Sequence, residues 1–380
     1  MMNQQGLSSF RNQIYEECTL MSIMSDKPFS FIPRLFKSPR TYHAQWMITR
    51  RCNYRCRGCR VWQEQDAREL STEDVKRGLD ILKDIGVIEI VFSGGNPLIR
   101  DDIGEILDYA SRNFITTVYD NGSMAAEKID ALRNVDFVAI SLDTLDEKKN
   151  DYLKGVRGAW RKAMEAIRIL KEEEIRVGVS PTISQFNVHE IVDFTKYFIS
   201  QSIPVWYCYY CYDYPFKDGM FNIGRKNDEF IIRDKQALLD ALDSIMRLRE
   251  ESDYVFITEK TLKALREYVS SGNRTWKCRA LDSFLIIDHL GRVAGCHSRE
   301  PVASIFDLPR VWRSRKFDEL RMKYSQCTKC AYLCYIFYSV HTGLSGILEI
   351  LRDQWRNTKI LLREEKQKRL QRRICPPMAE

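Results

Sequence analysis

The sequence predicts an α/β fold: an open, partial (β/α)6 barrel of the TIM type, followed by a small C-terminal unit of a β-hairpin and a helix. Three observations predict it. Between residues 42 and about 212, runs rich in Val, Ile, Phe, Tyr and Trp alternate with helical patterns. Six such units in succession imply a parallel sheet with right-handed crossovers, and they fall short of the eight that close a barrel. Downstream, the apolar stretch Phe284–Ala294 contains Gly291 at a tight turn, which reads as a hairpin.

The expected strands are His43–Thr49, Val87–Phe92, Phe114–Tyr119, Phe137–Leu142, Val177–Ile183 and Val205–Tyr210. After the first strand, Ser71 and Asp74 have the spacing of a helix-opening cap, and Gly86 sits where a left-handed cap would end that helix. Gly158-Ala159-Trp160 leads into another helix, running to about Glu174. A further helix is expected over about Leu308–Tyr324. The chain thus divides into a 1–40 extension without a recognisable domain, a core over 41–250, a small unit over 251–340 and a basic helical tail over 341–380. In the tail, Ile347, Leu351, Trp355 and Leu362 fall roughly on one stripe flanked by Arg352, Arg356, Lys359 and Arg363. That pattern, with the apolar and basic Phe29–Lys37, suits a membrane-surface helix or a helix packed on the barrel.

Composition narrows the class. The 380 residues are 44% hydrophobic and 29% charged, an ordinary globular balance. Lys plus Arg number 59 against 52 Asp plus Glu, a net charge of +7 spread along the chain, which argues against a dedicated nucleic-acid binder. No apolar run approaches the ~20 residues of a membrane span, and no signal peptide opens the chain. A cytoplasmic protein is expected, with peripheral contact at the inner membrane face as a further expectation. Twelve cysteines in such a chain read as metal ligands rather than a disulfide framework.

The cysteines fall into sets. Cys52, Cys56 and Cys59 form C-x3-C-x2-C. Cys278 and Cys296 form a spaced pair, and Cys327, Cys330 and Cys334 form C-x2-C-x3-C. Cys18, Cys208, Cys211 and Cys375 stand apart, the first and last as incidental residues. Ligands of such folds bind at the C-terminal ends of the strands. There lie the first cysteine set, Ser93-Gly94-Gly95-Asn96-Pro97, Asp120-Asn121-Gly122, Ser141, Asp143, Thr182 and Asn187. Three thiolates on one loop can each hold one iron of a [4Fe–4S] cubane, which leaves the fourth iron open to a non-protein ligand. A zinc knuckle is the other reading, less suited because zinc favours paired C-x2-C units and no His is close. The hairpin brings Cys278 to Cys296, and with Cys327 and Cys330 four thiolates close a second cluster. A four-thiolate zinc site has the same spacing. Cys334 either replaces Cys330 or is a bystander. In Trp206–Tyr212, residues three apart on a strand face opposite ways, so Cys208 and Cys211 chelate poorly together. An inward thiol or tyrosine there could donate hydrogen to a product radical. Aromatic packing around inert thiols is the alternative. His297 reads either as a hydrogen-bond donor to cluster sulfur or as an ordinary exposed histidine.

The segments Cys52-Asn53-Tyr54-Arg55-Cys56-Arg57-Gly58-Cys59 and Ser93-Gly94-Gly95-Asn96-Pro97, on a core of six β/α units, resemble the radical SAM superfamily over about residues 42–340. The resemblance implies an enzyme in which Cys52, Cys56 and Cys59 hold a [4Fe–4S] cluster and S-adenosyl-L-methionine chelates the open iron. Electron transfer then cleaves the sulfonium, and a 5′-deoxyadenosyl radical abstracts hydrogen from an unactivated C–H bond. It implies that Gly94, Gly95 and Asn96 hold the methionine moiety and that Asn121, Ser141 and Asp143 contact ribose or carboxylate, with turn or cap roles as the alternative. Two positions depart from the family. Gly58 stands where an aromatic residue usually packs adenine, which moves that surface elsewhere, for instance to Trp62. Asn96 stands where a glutamate usually accepts from the methionine ammonium. The second set resembles the twitch auxiliary-cluster subdomain, the shorter relative of SPASM, held by Cys278, Cys296, Cys327 and Cys330 with Cys334 as the uncertain member. Such a cluster would move electrons or only hold the unit together. A ferredoxin or flavodoxin is the expected electron donor, favoured by a net-basic surface. The expected substrate is a membrane lipid or isoprenoid, with a ribosomal peptide or a cofactor precursor as the alternative. The absence of an evident leader-binding domain weighs slightly against a peptide. A non-catalytic metal-binding scaffold is the remaining alternative.

Overall fold

A computed structural model describes Arg34 and residues 41–64, 66, 68–211, 220, 224, 228–342, 346, 348–350 and 352–353. The elements run β1 (His43–Thr49), α1 (Thr72–Ile85), β2 (Glu89–Gly94), α2 (Ile103–Ser111), β3 (Ile115–Asp120), β4 (Phe137–Ile140), α3 (Glu147–Lys154) and α4 (Ala159–Glu172). They continue with β5 (Val177–Val179), β6 (Thr182–Ile183), α5 (Ile191–Ser200), β7 (Cys208–Tyr209), α6 (Lys235–Glu251), α7 (Glu259–Ser271), β8 (Phe284–Ile287), β9 (Arg292–Ala294), β10 (Ala303–Ser304), α8 (Arg315–Ser325) and α9 (Leu333–Val340).

Local chemistry accounts for the boundaries. The Ser71 hydroxyl accepts from the Asp74 N–H to open α1, and Gly86, at φ 112°, ends it in the left-handed region. Asp146 caps α3 in the same way, and Gly155, at φ 65°, closes it. The inner and outer faces alternate along the strands. On β1, Ala44, Trp46 and Ile48 are fully or almost fully buried. Trp46 packs so closely on α1 that a Cβ at Gly78 would lie 2.6 Å from its ring.

β1 to β5 form a parallel sheet in sequence order, as the alternation predicts. The fifth and sixth expected strands differ from expectation. Val177–Ile183 splits into β5 and β6, because Pro181 between them has no N–H to donate. The Pro181 carbonyl instead accepts from the Cys208 N–H at 2.9 Å. Val205–Tyr210 is regular only at Cys208–Tyr209, which pairs with β6 in a separate two-stranded sheet, while Val205 makes isolated bridges to Val179 and Val255.

The hairpin Phe284–Ala294 forms as β8 and β9. It joins the barrel sheet: β8 runs parallel to β1, with His43 opposite Phe284 and Trp46 opposite Ile287, in an eight-stranded order β10-β9-β8-β1-β2-β3-β4-β5. The segment after 251 thus continues the barrel sheet. α9 covers the side of the barrel. Its residues Cys334 and Tyr338, one turn apart, both line the interior cavity, and the Tyr338 carbonyl accepts from the hydroxyls of Ser283 at 2.6 Å and Tyr42 at 3.1 Å.

The stripe Ile347, Leu351, Trp355 and Leu362 lies outside the described residues, as do Cys18, Cys375 and most of Phe29–Lys37. Arg34 is described and buried, with its guanidinium donating to the carbonyls of Val87 and Asn113, each at 2.8 Å. Among the described residues, no helix is long and apolar enough to cross a membrane.

Trp46 joins α1 to the sheet, and its indole N–H donates to the Asp288 carbonyl at 3.1 Å. Trp46→Ala is expected to cost about 3–5 kcal/mol, read as a lower urea midpoint. An unchanged midpoint would show that the ring does not hold these layers together.

Candidate active site

A cavity of about 950 Å³ fills the barrel interior. Its upper wall carries Cys52, Cys56, Gly58 and Cys59 from the loop after β1, Gly94 and Gly95 at the end of β2, Asn121 after β3, Ser141 and Asp143 after β4, and Lys154 at the end of α3. Of the residues expected at the site, Asn96 is not on that wall.

The cysteine loop is tied down by backbone. The N–H groups of Arg55 and Arg57 donate to the carbonyls of Lys154 and Leu153, at 3.3 and 2.9 Å. These are last-turn carbonyls of α3, which the helix itself leaves unsatisfied. Gly155 permits the approach, since a Cβ there would sit 2.2 Å from the Arg55 carbonyl oxygen. The glycine loop packs on the same segment from the other side. Gly95 N–H donates to the Thr49 carbonyl and Asn96 N–H to the Arg51 carbonyl, both at 2.8 Å. A Cβ at Gly95 would meet the Arg51 carbonyl oxygen at 2.0 Å. Glycine here serves loop-to-loop contact.

Burial governs the thiols. It raises Cys52 and pushes Cys56 up to about 12 and Cys59 to about 11; Cys52 disfavours charge on both of the others and Cys59 on Cys56, while Lys154 opposes the rise at Cys56 and Cys59. Thiols held this way stay protonated until a metal takes the proton's place.

Lys154, which the sequence reading did not single out, is 5% exposed. Its ammonium lies 2.7 Å from both Asp143 Oδ2 and Ser141 Oγ. The Asp143 Oδ1 accepts from the Thr182 N–H at 2.9 Å, and the Asn187 amide donates to the Asp143 carbonyl at 2.8 Å. Ser141 and Asp143 therefore already serve Lys154. The signal for Lys154 was its place just before Gly155, in the turn that receives the cysteine loop.

Asn96 is 1% exposed, its amide oxygen accepts from the Leu98 N–H at 3.1 Å, and its amide nitrogen donates to Asn121 Oδ1 at 3.1 Å. The Asn121 amide in turn donates to Asn53 Oδ1 in the cysteine loop at 2.8 Å, and Asn53 donates to Ser123 Oγ at 2.7 Å. Four polar side chains thus join the three loops.

At Gly58, a Cβ would meet the Tyr210 ring at 3.0 Å and the Phe230 ring at 3.1 Å. Those rings stack with centroids 5.0 Å apart, and the Tyr210 hydroxyl donates to Asp228 Oδ2 at 2.7 Å. Trp62 donates its indole N–H to the Cys56 carbonyl at 3.0 Å. Trp62, Tyr210 and Phe230 all line the cavity.

The second thiol set gathers in part. Cys278 is influenced by Cys327, Cys296 by Cys278, and Cys330 by both Cys296 and Cys278. Burial raises all three, Cys296 to about 11. The Arg299 guanidinium donates to Cys327 Sγ at 3.6 Å. Cys334 goes elsewhere: it lines the barrel cavity, and the thiol acting on it is Cys208, which also lines the cavity and sits 3.7 Å from Ser180 Oγ. Cys211 is on the far side, acting on Cys330, as the strand alternation predicts. His297 is not exposed. At 3% accessibility its Nδ1 lies 2.6 Å from the Tyr335 hydroxyl.

The donor set fits a cluster with an open corner: three half-buried thiols on one tethered loop, a buried ammonium and aromatic faces around one cavity. Among the described residues, no three His, Cys, Asp or Glu side chains are drawn together as a single metal ion needs, whereas a cubane spreads its ligands over separate corners.

Fold and site together define a partial-barrel protein with a thiol-lined centre at the strand ends. The chain carries a radical SAM domain: residues 46–198 match the Radical SAM superfamily, whose cofactors are a [4Fe–4S] cluster and S-adenosylmethionine. An AdoMet-dependent heme synthase of Nitratidesulfovibrio vulgaris is 31% identical over 182 residues, 46% of this chain and 49% of the relative. The antilisterial bacteriocin subtilosin biosynthesis protein AlbA of Bacillus subtilis is 30% identical over 164 residues, 42% and 37% of the two chains. The chain spans about half or less of the length of these relatives. In fold it matches SuiB of Streptococcus suis, solved with its precursor peptide SuiA, at a TM-score of 0.60 and 20% identity over 78% of this chain and 70% of that one.

Two predictions follow from the geometry. Gly58→Phe places a ring where Tyr210 and Phe230 already stand, and is expected to destabilise the fold by about 1–3 kcal/mol; adding Tyr210→Ala should return part of the loss, measured by thermal unfolding. If the double variant is no more stable than the single one, the rings do not share that space. Lys154→Met leaves Asp143 as an unbalanced anion beside Cys56 and Cys59. In the reconstituted protein the loop cluster should then become harder to reduce, its midpoint moving to more negative potential in an EPR-monitored redox titration.

Proposed function

We propose that this protein is a radical SAM maturase that modifies an unactivated carbon of a peptide or of a cofactor precursor, with a second [4Fe–4S] cluster on Cys278, Cys296, Cys327 and Cys330. The observation that carries the reading is one cavity that joins the tethered Cys52, Cys56 and Cys59 loop to the barrel interior. Beside a reduced cluster held by these cysteines, S-adenosylmethionine would supply the radical chemistry. The chain's part is to hold, orient and exclude water. Cys52, Cys56 and Cys59 ligate. The backbone of Gly94 and Gly95 shapes the loop beside the methionine moiety, and Asn96 acts by fixing Asn121 and the loops. Lys154, held by Ser141 and Asp143, presents positive charge to the cofactor carboxylate. Tyr210, stacked on Phe230, or Trp62 on the same cavity, offers the flat surface for adenine that Gly58 does not. A small acidic ferredoxin or flavodoxin supplies the electron.

The relatives favour this substrate class over a membrane lipid. Their names specify heme synthesis and bacteriocin biosynthesis.

Anaerobic reconstitution tests the reading. The protein should bind about eight irons per chain, as two four-iron clusters require, and release 5′-deoxyadenosine when reduced. With Cys52, Cys56 and Cys59 all changed to alanine, about four irons should remain and release should stop. Continued release by that variant would refute the assignment. For the substrate, a strain lacking the gene should show altered peptide or tetrapyrrole pools and unaltered lipids. The reverse would restore the lipid.

A further inference from the structure

The cavity has a second polar end, opposite the cysteine loop. At the start of β1 and β2, His43 and Glu89 are register partners. His43 Nδ1 lies 3.0 Å from Glu89 Oε2, and the Tyr338 hydroxyl donates to the same oxygen at 2.8 Å. The His43 ring stacks on Tyr338 with centroids 3.7 Å apart. All three side chains line the cavity.

The carboxylate is held but only half used. Both bonds reach Oε2, and the Glu89 side chain keeps 31% of its surface accessible, against 5% for His43. Burial alone would raise its carboxyl, yet hydrogen bonds from His43 and Tyr338 bring it below the ordinary carboxylate range. The groups acting on it include no lysine or arginine. Lys154, Lys171 and Arg176 line other parts of the cavity, but an ionised carboxylate with no cation acting on it directly is costly to hold, and a bound cation would relieve that cost.

We propose that Glu89 is the anchoring residue for a positively charged nitrogen, an ammonium or guanidinium, at the remote end of the substrate. The inference rests on the proposed function and narrows its substrate class. Glu89 and Gly94 are the two ends of β2, five residues apart and therefore roughly 16 Å from one another along the strand. Between them the wall carries the modest side chains Val91, Thr117 and Ala139, narrowed by the larger Gln45, Tyr119 and Trp206. Such a passage suits a slender molecule, with its basic group at the barrel floor and its reacting carbon near the cysteine loop. Because His43 and Tyr338 occupy Oε2, one oxygen remains for a single charge-assisted hydrogen bond. A basic side chain or terminal amine of a peptide meets that description.

The test uses n-hexylamine as the cationic probe and n-hexanol as its neutral counterpart, titrated calorimetrically into cluster-reconstituted enzyme. Hexylamine should bind the native protein and lose about tenfold or more of its affinity in Glu89→Gln, the scale of one lost charged hydrogen bond. Hexanol should be indifferent to the change. Absent hexylamine binding, or equal affinity in both proteins, overturns the proposal. Should the variant not fold, a crystal structure of the native protein with hexylamine decides: nitrogen beside Glu89 supports the anchor, and nitrogen elsewhere refutes it. The SAM-induced change in the EPR spectrum of the loop cluster is recorded separately. Its absence from the native protein would count against the radical SAM reading, while the amine titration would still judge Glu89.

Discussion

Two backbone hydrogen bonds, from Arg55 and Arg57 to the end of α3, are the constraint on which the candidate site depends. A loop carrying three thiols has little regular structure of its own, and conformational entropy would scatter it. The open carbonyls of Leu153 and Lys154 give it a fixed edge to pair with. The same turn delivers the Lys154 ammonium, so ligand loop and cation are positioned by one element. Gly155 is required twice over, by its left-handed φ and by the missing Cβ that lets the Arg55 carbonyl approach. α3 is short and strongly polar, yet Leu153 and Lys154 at its end are buried because they abut the site.

From that edge the remaining loops are added by side-chain amides. Asn53, Asn96 and Asn121 span the ends of β1, β2 and β3, each bonded to another of the set or to Ser123. A buried polar network of this kind is stabilising only when its members are satisfied together. That explains why an amide can stand at position 96 where charge would be expected: it donates as well as accepts, and both capacities are used within the protein. A carboxylate there could not donate to Asn121.

Much of this was legible in the sequence because the governing signals are local. The strand-and-helix alternation, the Ser71 and Gly86 caps, the cysteine spacing and the glycine turn at Gly291 each fix structure within a few residues. What was not legible depends on partners distant in the chain. The sheet could not announce that β8 pairs with β1, nearly the whole core away, since a fully buried strand reads the same beside any neighbour. Pro181 was visible, but its effect on β5 depends on a ladder formed with Cys208. Lys154 looked like an ordinary lysine at the end of a charged helix. Cys334 looked like a third member of its set, because spacing alone does not reveal that a helix begins between it and Cys330.

That last division has a structural consequence. Cys330 precedes α9 and faces Cys278 and Cys296, whereas Cys334, inside α9, faces Cys208 in the barrel. Tyr335 lies between, acted on by Cys334, Cys296 and Cys330 and bonded to His297. The outer thiol set and the cavity are therefore separated by a single element, α9. The pairing of β8 with β1 enforces this closeness, since the hairpin that leads to Cys296 is a continuation of the barrel wall. A redox centre on the outer thiols would then stand at the wall of the chamber in which substrate reacts. A purely structural role for those thiols would not require the hairpin to share a sheet with the strand that bears the Cys52, Cys56 and Cys59 loop.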